Sequence, residues 1–371
     1  MLCWFPFLLG NVAGRDTVSF NFGWKHRTGL HDWADPNELP PTDTNPGLRP
    51  PEASINYDTT SWRKVQLPHD GLIATSPSET ACPDGCSGRS YIPRHLLWYR
   101  KMFSLPEDWQ HSVIWLEFDG AFRNTTVWIN GELVTNHECG YTPFLVRLDN
   151  LTVTYGSSAE KNSIAVFVDP DNGDFGGPAK GSGWWYEGGG LYRDVRLIRA
   201  DRVHVEHDSL YARSDITFDK HGKAREALLH LEASATNNGP QLDDICATFL
   251  IMDAEGTEVT SSAIPTQELL LPGESMPISQ SIRILFPRLW TSSNPYMYDV
   301  VVILEDCGTG EELDSVSTSH GFRSLDFDAN RGFFMNKENW KIRGFCDHST
   351  FGVVGMAVPD RINLFRVRKE M

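Results

Sequence analysis

The chain has 371 residues, of which 40% are apolar, and 33 basic against 49 acidic residues give a net charge of −16. The apolar fraction supports buried cores and excludes a wholly disordered chain, and the length suits two or three domains. The acidic balance excludes a general nucleic-acid binder and a ligand of anionic membrane surfaces, since both reward a basic face.

In chain order, the opening "MLCWFPFLLGNVAG" is apolar but lacks the basic flank of a secretory signal. No apolar run reaches the roughly 18 residues that span a bilayer. The expectation is a soluble protein; whether it is secreted, lysosomal or cytoplasmic stays open. Residues 35–52, "DPNELPPTDTNPGLRPPE", can only be loop. Short apolar runs bounded by Gly, Pro, Asn and Asp then recur, the pattern of antiparallel β-sandwiches. They are "WRKVQLPHD" (62–70), "LLWYRKMFSL" (96–105), "SVIWLEFDGA" (112–121), "TTVWINGELVT" (125–135) and "NSIAVFVD" (162–169). Asn130-Gly131 lies between two strand-like runs and predicts a hairpin, because both residues tolerate positive φ.

A glycine-rich excursion over 173–190 leads into "YRDVRLIR". Its core, "GWWYEGGGLYRDV" (183–195), raises the question of a phosphate cradle. The spacing rejects it. Gly181 and Gly183 start a G-x-G, but Tyr186 stands where the third glycine belongs, and strands follow rather than a helix. From Val203 the strand rhythm restarts with "ALLHLEASATN" (227–237), "ICATFLIMD" (245–253), "ISQSIRILF" (278–286) and "MYDVVVILED" (297–306). This predicts a second sandwich over 201–326. Beyond "GFFMNKENWKIRGFCDHS", Asp360 is placed to cap a helix beginning "RINLFRVRKEM", giving a lone βα unit. Its apolar residues Phe345, Ile362, Phe365 and Val367 are expected to be exposed, and deleting 331–371 to improve solubility.

The seven cysteines are scattered and odd in number. Cys82 and Cys86 bracket a turn and could close a small loop, but free thiols or buried small hydrophobes are the favoured reading. No Cys/His set has zinc spacing. His69-Asp70 lacks a Ser or Cys nucleophile motif and reads as a fold-supporting pair, and Arg193-Asp194 reads as a structural ion pair.

The motifs taken together carry a resemblance. "W-x-x-V-x-LPHD", "WYRKMFSLP", "FDGAFRNTTVWINGELV", "GYTPF", "GGGLYRDV", "LWTSSNPYMY", "GFRSLDFDANRGFFMN" and "IRGFCDHSTFGVVGMAVP" occur in the order found in the N-terminal part of glycoside hydrolase family 2. This is the family of β-galactosidases, β-glucuronidases and β-mannosidases, and the resemblance runs nearly end to end. It implies a mainly β chain: a jelly-roll-like sugar-binding sandwich (15–200), an immunoglobulin-like sandwich (201–326) and the first βα unit (327–371) of an incomplete (β/α)8 barrel.

The resemblance also implies retaining hydrolysis of terminal β-glycosides, with β-galactosidase favoured. Both catalytic Glu are expected beyond Met371, so the chain alone is expected to be inactive. Asn37-Glu38 matches the family's Asn-Glu dipeptide but sits in a Pro-flanked loop, away from any barrel strand. What remains is substrate binding. His348 follows the first barrel strand, at the end where substrate binds, and Asp347 precedes it. Trp185 and Tyr186, in the "WWYE" loop, are placed to wall the sugar pocket. Trp184 takes a place often held by Arg or Ser. The partner implied is a carbohydrate; no nucleic acid or membrane is expected, and a homo-oligomer stays open. No cofactor is implied, and no metal-ligand set can be mapped. The rival reading is a non-catalytic carbohydrate-binding or adhesion protein built of β-sandwiches.

Overall fold

The computed structural model describes residues 15–29, 50–78, 91–93, 95–156, 161–170, 185–240, 244–266 and 270–370. Asn37-Glu38, Trp184 and the Cys82–Cys86 loop lie outside them. The chain is mainly β and divides into two compact units.

One unit comprises Thr17–Gln110, Ile114–Arg199 and Cys346–Met371. Its strands are β1 (Arg15–Ser19), β2 (Trp24–Thr28), β3 (Arg63–Val65), β4 (Leu97–Phe103), β5 (Val113–Phe118), β6 (Asn124–Ile129), β7 (Glu132–His137), β8 (Phe144–Arg147), β9 (Asn162–Asp169) and β10 (Val195–Ala200). A four-stranded sheet runs β1-β10-β5-β8, and a six-stranded sheet runs β3-β2-β4-β9-β6-β7. They form a β-sandwich, because one core cluster draws on both. Ile114, Leu116 and Phe118 of β5 meet Leu97, Tyr99 and Phe103 of β4 and Ile164, Val166 and Val168 of β9. Trp24 is fully buried there, and its indole N–H donates to the Phe20 carbonyl at 2.8 Å. The outer face of the larger sheet carries a second cluster, with Trp98 tilted on Trp128 at 5.5 Å and Trp62 beside them. Burial of each such side chain contributes about 1.5–3 kcal/mol relative to exposure. The Asn130-Gly131 hairpin forms as expected: β6 pairs with β7, and both turn residues have positive φ, 51° and 84°.

The other unit comprises Ala200–Phe345 with short pieces near residues 16 and 112. Its strands are β11 (Val203–Val205), β12 (Tyr211–Phe218), β13 (Ala224–Asn237), β14 (Ile245–Met252), β15 (Glu258–Thr266), β16 (Ser275–Leu285), β17 (Tyr298–Asp306) and β18 (Glu312–His320). In one sheet β13 carries β11 and β12 along one edge and β16 along the other; the second sheet runs β15-β14-β17-β18. Inward residues alternate strictly, as in Ile245, Ala247, Phe249 and Ile251 of β14, which pack with Leu229, Leu231 and Ala233 of β13. A small sheet of β19 (Leu325–Asp328), β20 (Gly332–Met335) and β21 (Glu338–Trp340) follows.

One pair of cysteines that the spacing did not single out is bridged. Cys246 and Cys307 form a disulfide with Cα atoms 5.2 Å apart. Strand pairing brings them together: Cys246 lies on β14 opposite Glu305 of β17, and the Cys307 N–H donates to the Asp244 carbonyl. Cys139 and Cys346 are free and exposed. The bridge closes a separation of 61 residues. Replacing both bridged cysteines with serine is expected to cost about 2–4 kcal/mol of unfolding free energy in urea titration. A loss under about 1 kcal/mol would show that the pair is not bridged in solution.

The helix α1 spans Asp360–Glu370, so Asp360 lies inside its first turn and not at the cap. The Pro359 carbonyl accepts from Ile362 and Asn363 instead. Phe345, Phe365 and Val367 are exposed as expected, while Ile362 is half-buried. The same segment is also anchored. Met356 is buried against Phe122 and Tyr192, so removing 331–371 would uncover both rings and set a stability cost against any gain in solubility.

Candidate functional site

The site starts from the glycine run. Gly189–Leu191 pairs with the "PHD" stretch: the His69 N–H donates to Leu191 and the Gly71 N–H to Gly189, both at 2.7 Å. On its other side Gly190 exchanges two hydrogen bonds with Phe122. Gly188 (φ +70°) and Gly190 (φ +116°) adopt backbone that disfavours L side chains. A Cβ on Gly188 would lie 2.6 Å from Asp70 Oδ2, and one on Gly190 would overlap the Tyr99 hydroxyl. The glycines therefore let two backbone segments close over buried polar groups.

Asp70 is the group they close over, only 5% exposed. Its Oδ1 accepts from the N–H groups of Leu72 (2.9 Å) and Ile73 (3.1 Å) and from the Tyr186 hydroxyl (2.8 Å). Its Oδ2 accepts from the Met356 N–H at 2.8 Å. Burial pushes its carboxyl above the usual range, against the pull of these donors. Asp70 thus ties the aromatic loop and the 350s segment to the first sandwich. His69 turns elsewhere, with Nδ1 2.9 Å from the Tyr99 hydroxyl. The two residues support the fold as expected, but through different partners.

This anchoring frames a cleft of about 800 Å³, whose lining includes Asp119, Arg193, Arg196, Asp347, His348 and Arg366. Of the residues expected to contact substrate, two come together. Trp185 stacks on His348 with centroids 4.5 Å apart and planes 15° from parallel, while His348 itself lines the cleft. Asp347 lines it too but is ion-paired with Arg366. The Arg366 guanidinium also donates to the carbonyls of His348 (3.2 Å) and Thr350 (3.3 Å), so α1 fixes the backbone that presents His348. Tyr186 does not line the cleft: its hydroxyl is bonded to Asp70, and its ring packs on the first core.

The cleft residues missed from sequence are Asp119, Arg196 and Arg366. Arg196 grips Asp119 with two bonds of 2.5 Å and reaches Glu117 at 3.1 Å. Arg193-Asp194 is not the ion pair expected. Asp194 accepts from Asn21 at 2.9 Å and lies 4.0 Å from Arg196, while the Arg193 guanidinium lies over the Tyr192 ring. The "YRDV" motif flagged the locality but not the partners; Arg366 carried no signal. Chemically, Asp119 and Asp347 are each committed to a guanidinium. Asp194, 4.0 Å from Arg196, and Asp360 are the other carboxylates that line the cleft. Among the described residues, no cluster of three or more His, Cys, Asp or Glu could hold a metal ion.

The first sandwich thus carries a cleft lined by His348, whose ring is stacked on Trp185. Residues 204–323 match the sequence model of "Glycosyl hydrolases family 2". It is 28% identical over 353 residues to the β-galactosidase BoGH2A of Bacteroides ovatus, covering 94% of this chain and 36% of that protein. It is 26% identical over 365 residues to a β-glucuronidase of Formosa agariphila, covering 95% and 34%. Among solved structures it resembles Bacteroides uniformis β-glucuronidase 2, with a TM-score of 0.77, 26% identity, and coverage of 96% of this chain and 38% of that one. A β-glycosidase from Bacteroides vulgatus gives 0.76, 27%, 95% and 40%. The chain spans about a third of the length of these curated relatives. Among the described residues no helix is long and apolar enough to cross a membrane.

Proposed function

We propose that this chain forms the substrate-framing part of a β-galactosidase-type glycosidase that hydrolyses terminal β-glycosides with retention. In this reading, 15–200 is the jelly-roll sugar-binding domain, 201–326 the immunoglobulin-like domain and 327–371 the opening βα unit of the catalytic barrel. The observation that carries it is the Trp185–His348 stack beside an 800 Å³ cleft. A flat aromatic face suits the apolar face of a pyranose, and His348 and Asp347 add hydrogen-bonding capacity at its edge. The two carboxyl groups of retaining hydrolysis, roughly 5–5.5 Å apart, are supplied from elsewhere in the complete enzyme. In favour of this, Asp119 and Asp347 are both bound to arginines.

The test has two arms. The purified chain, offered chromogenic β-galactoside, β-glucuronide and β-mannoside, is expected to show no turnover; clear hydrolysis would overturn the assignment of chemistry to other residues. Binding of β-galactosides, followed by ligand-observed NMR, should weaken about tenfold in Trp185→Ala, which corresponds to about 1.4 kcal/mol. Unchanged binding would remove the stack from the site.

A further inference from the structure

A second feature lies on the six-stranded sheet, and none of its lining residues lines the cleft described above. Two hollows of about 370 and 490 Å³ open there and share Gly23 and Lys25. Lys64 of β3, Lys25 of β2 and Arg100 of β4 stand directly opposite one another in the strand register. The next residue of β4, Lys101, lines the first hollow as well.

Like charges aligned across neighbouring strands are destabilising unless something neutralises them. Here the partners are neutral. Lys25 donates to the Thr59 carbonyl and hydroxyl, and Arg100 to the carbonyls of Glu52, Ser54 and Ile55. Lys101 donates to the Phe20 carbonyl, with its ammonium 3.3 Å from the Phe20 ring centroid. Among the described residues, no carboxylate is in ion-pair contact with these four cations. Glu52 is buried and paired with Arg27, and Asp58 accepts from Thr60; the two carboxylates act on Arg100 and Lys25 only through space. Burial holds the Lys101 amine down at about 8, so a nearby anion would draw a proton onto it.

The rest of the lining narrows the ligand. The Tyr57 ring faces the Arg100 guanidinium at 5.7 Å, and Ile55 and Met102 leave apolar surface exposed. A site with one cationic row and adjoining apolar faces fits an anionic group carried on a ring with an apolar side. The net charge of −16 opposes extended polyanions, whereas a single anionic group feels the local row within a Debye length of about 8 Å.

We propose that this groove is a second carbohydrate-binding site, specific for a sugar chain that carries an isolated carboxylate or sulfate. The anionic group pairs with Lys64 and Lys25, whose charge the buried Arg100 reinforces, while the ring packs against Tyr57. The proposal stands independently of the function assigned to the cleft.

Calorimetry with the full chain tests it. The probes are a short oligogalacturonide, its methyl-esterified neutral counterpart, a sulfated galactan oligosaccharide and a short polyglutamate. Binding by either anionic sugar, weakening as salt rises and taking up protons at pH 8, is the expected result. The tighter of the two identifies carboxylate or sulfate as the group read. Lys25→Gln should weaken binding at least tenfold. Lys64→Gln, which removes an exposed ammonium with no hydrogen bond to lose, should weaken it about three- to fivefold. Equal binding of the esterified probe, equal binding of polyglutamate, no binding by either anionic sugar at low salt, or unchanged affinity in both variants would each overturn the proposal.

Discussion

Asp70→Ala is expected to lower the unfolding free energy by about 3–5 kcal/mol, because it strands several buried donors at once. Three backbone N–H groups and the Tyr186 hydroxyl converge on its two oxygens, and the surrounding glycines leave little room for water to replace them. Asp70→Asn should cost less, about 2 kcal/mol, since one oxygen still accepts while the amide N–H₂ must face donors. Denaturant titration of both variants checks the order. A loss below about 1 kcal/mol in the alanine variant would show that the 350s segment is not held by this carboxylate. Trp185–His348 stacking should loosen in parallel, because Asp70 links both Tyr186 and Met356 to the sandwich.

Acidification should unfold the first sandwich through two buried histidines. His26 donates through Nδ1 to the Trp98 carbonyl at 3.1 Å, and its ring lies 4.9 Å from that of His69 and 4.7 Å from that of Tyr99. Burial pushes His26 down to about 4 and His69 to about 3, with Arg63 adding repulsion to both and the His26 imidazole opposing charge on His69. The sign follows from linkage. Both folded values lie below the unfolded 6.5, so the unfolded chain binds more protons between them. The stability is complete above pH 6.5 and is lost as pH falls toward 4 and 3. The loss by pH 4 is about 3 kcal/mol per histidine at most, and less where solvent reaches the charged ring.

Asp70 works in the opposite direction, since its raised carboxyl favours the folded state as it protonates. His320, held down by burial in the other sandwich, adds to the acid loss. Urea titrations at pH 7, 5 and 4 should therefore show a pH slope that shrinks by close to one proton in His69→Asn. A slope identical to the parent's would refute the assignment.

The strands were legible because period-two burial is local: β14 alternates buried and half-buried residues without a break, and "WINGEL" carries its own turn. The glycine run was legible as a non-phosphate element, since spacing alone rejects a cradle. Its positive role was not, because that depends on Asp70 and Tyr99 lying under particular glycines. Cys246 and Cys307 looked like scattered thiols because only the pairing of β14 with β17 makes them neighbours. At the candidate site, motifs pointed to His348 and Asp347, which line the cleft, and to Trp185, which stacks on His348. Tyr186 of the same loop turns its hydroxyl to Asp70, a partner 116 residues away that no local pattern indicates. Arg366 was missed because a helical arginine carries no mark of what it reaches.

What the sequence determined by itself was the repeated half-buried strand, its turns and the family resemblance, all of which depend on residue order within short windows. Only the tertiary structure decided which polar groups became scaffold and which stayed available to a ligand. Asp70 and Met356 stand 286 residues apart, and their hydrogen bond exists only because both sit on one packed unit. The alignment of Lys64, Lys25 and Arg100 likewise came from strand register. A buried hydrogen bond or a cross-strand charge row depends on distances in space, and those are set when the whole core packs.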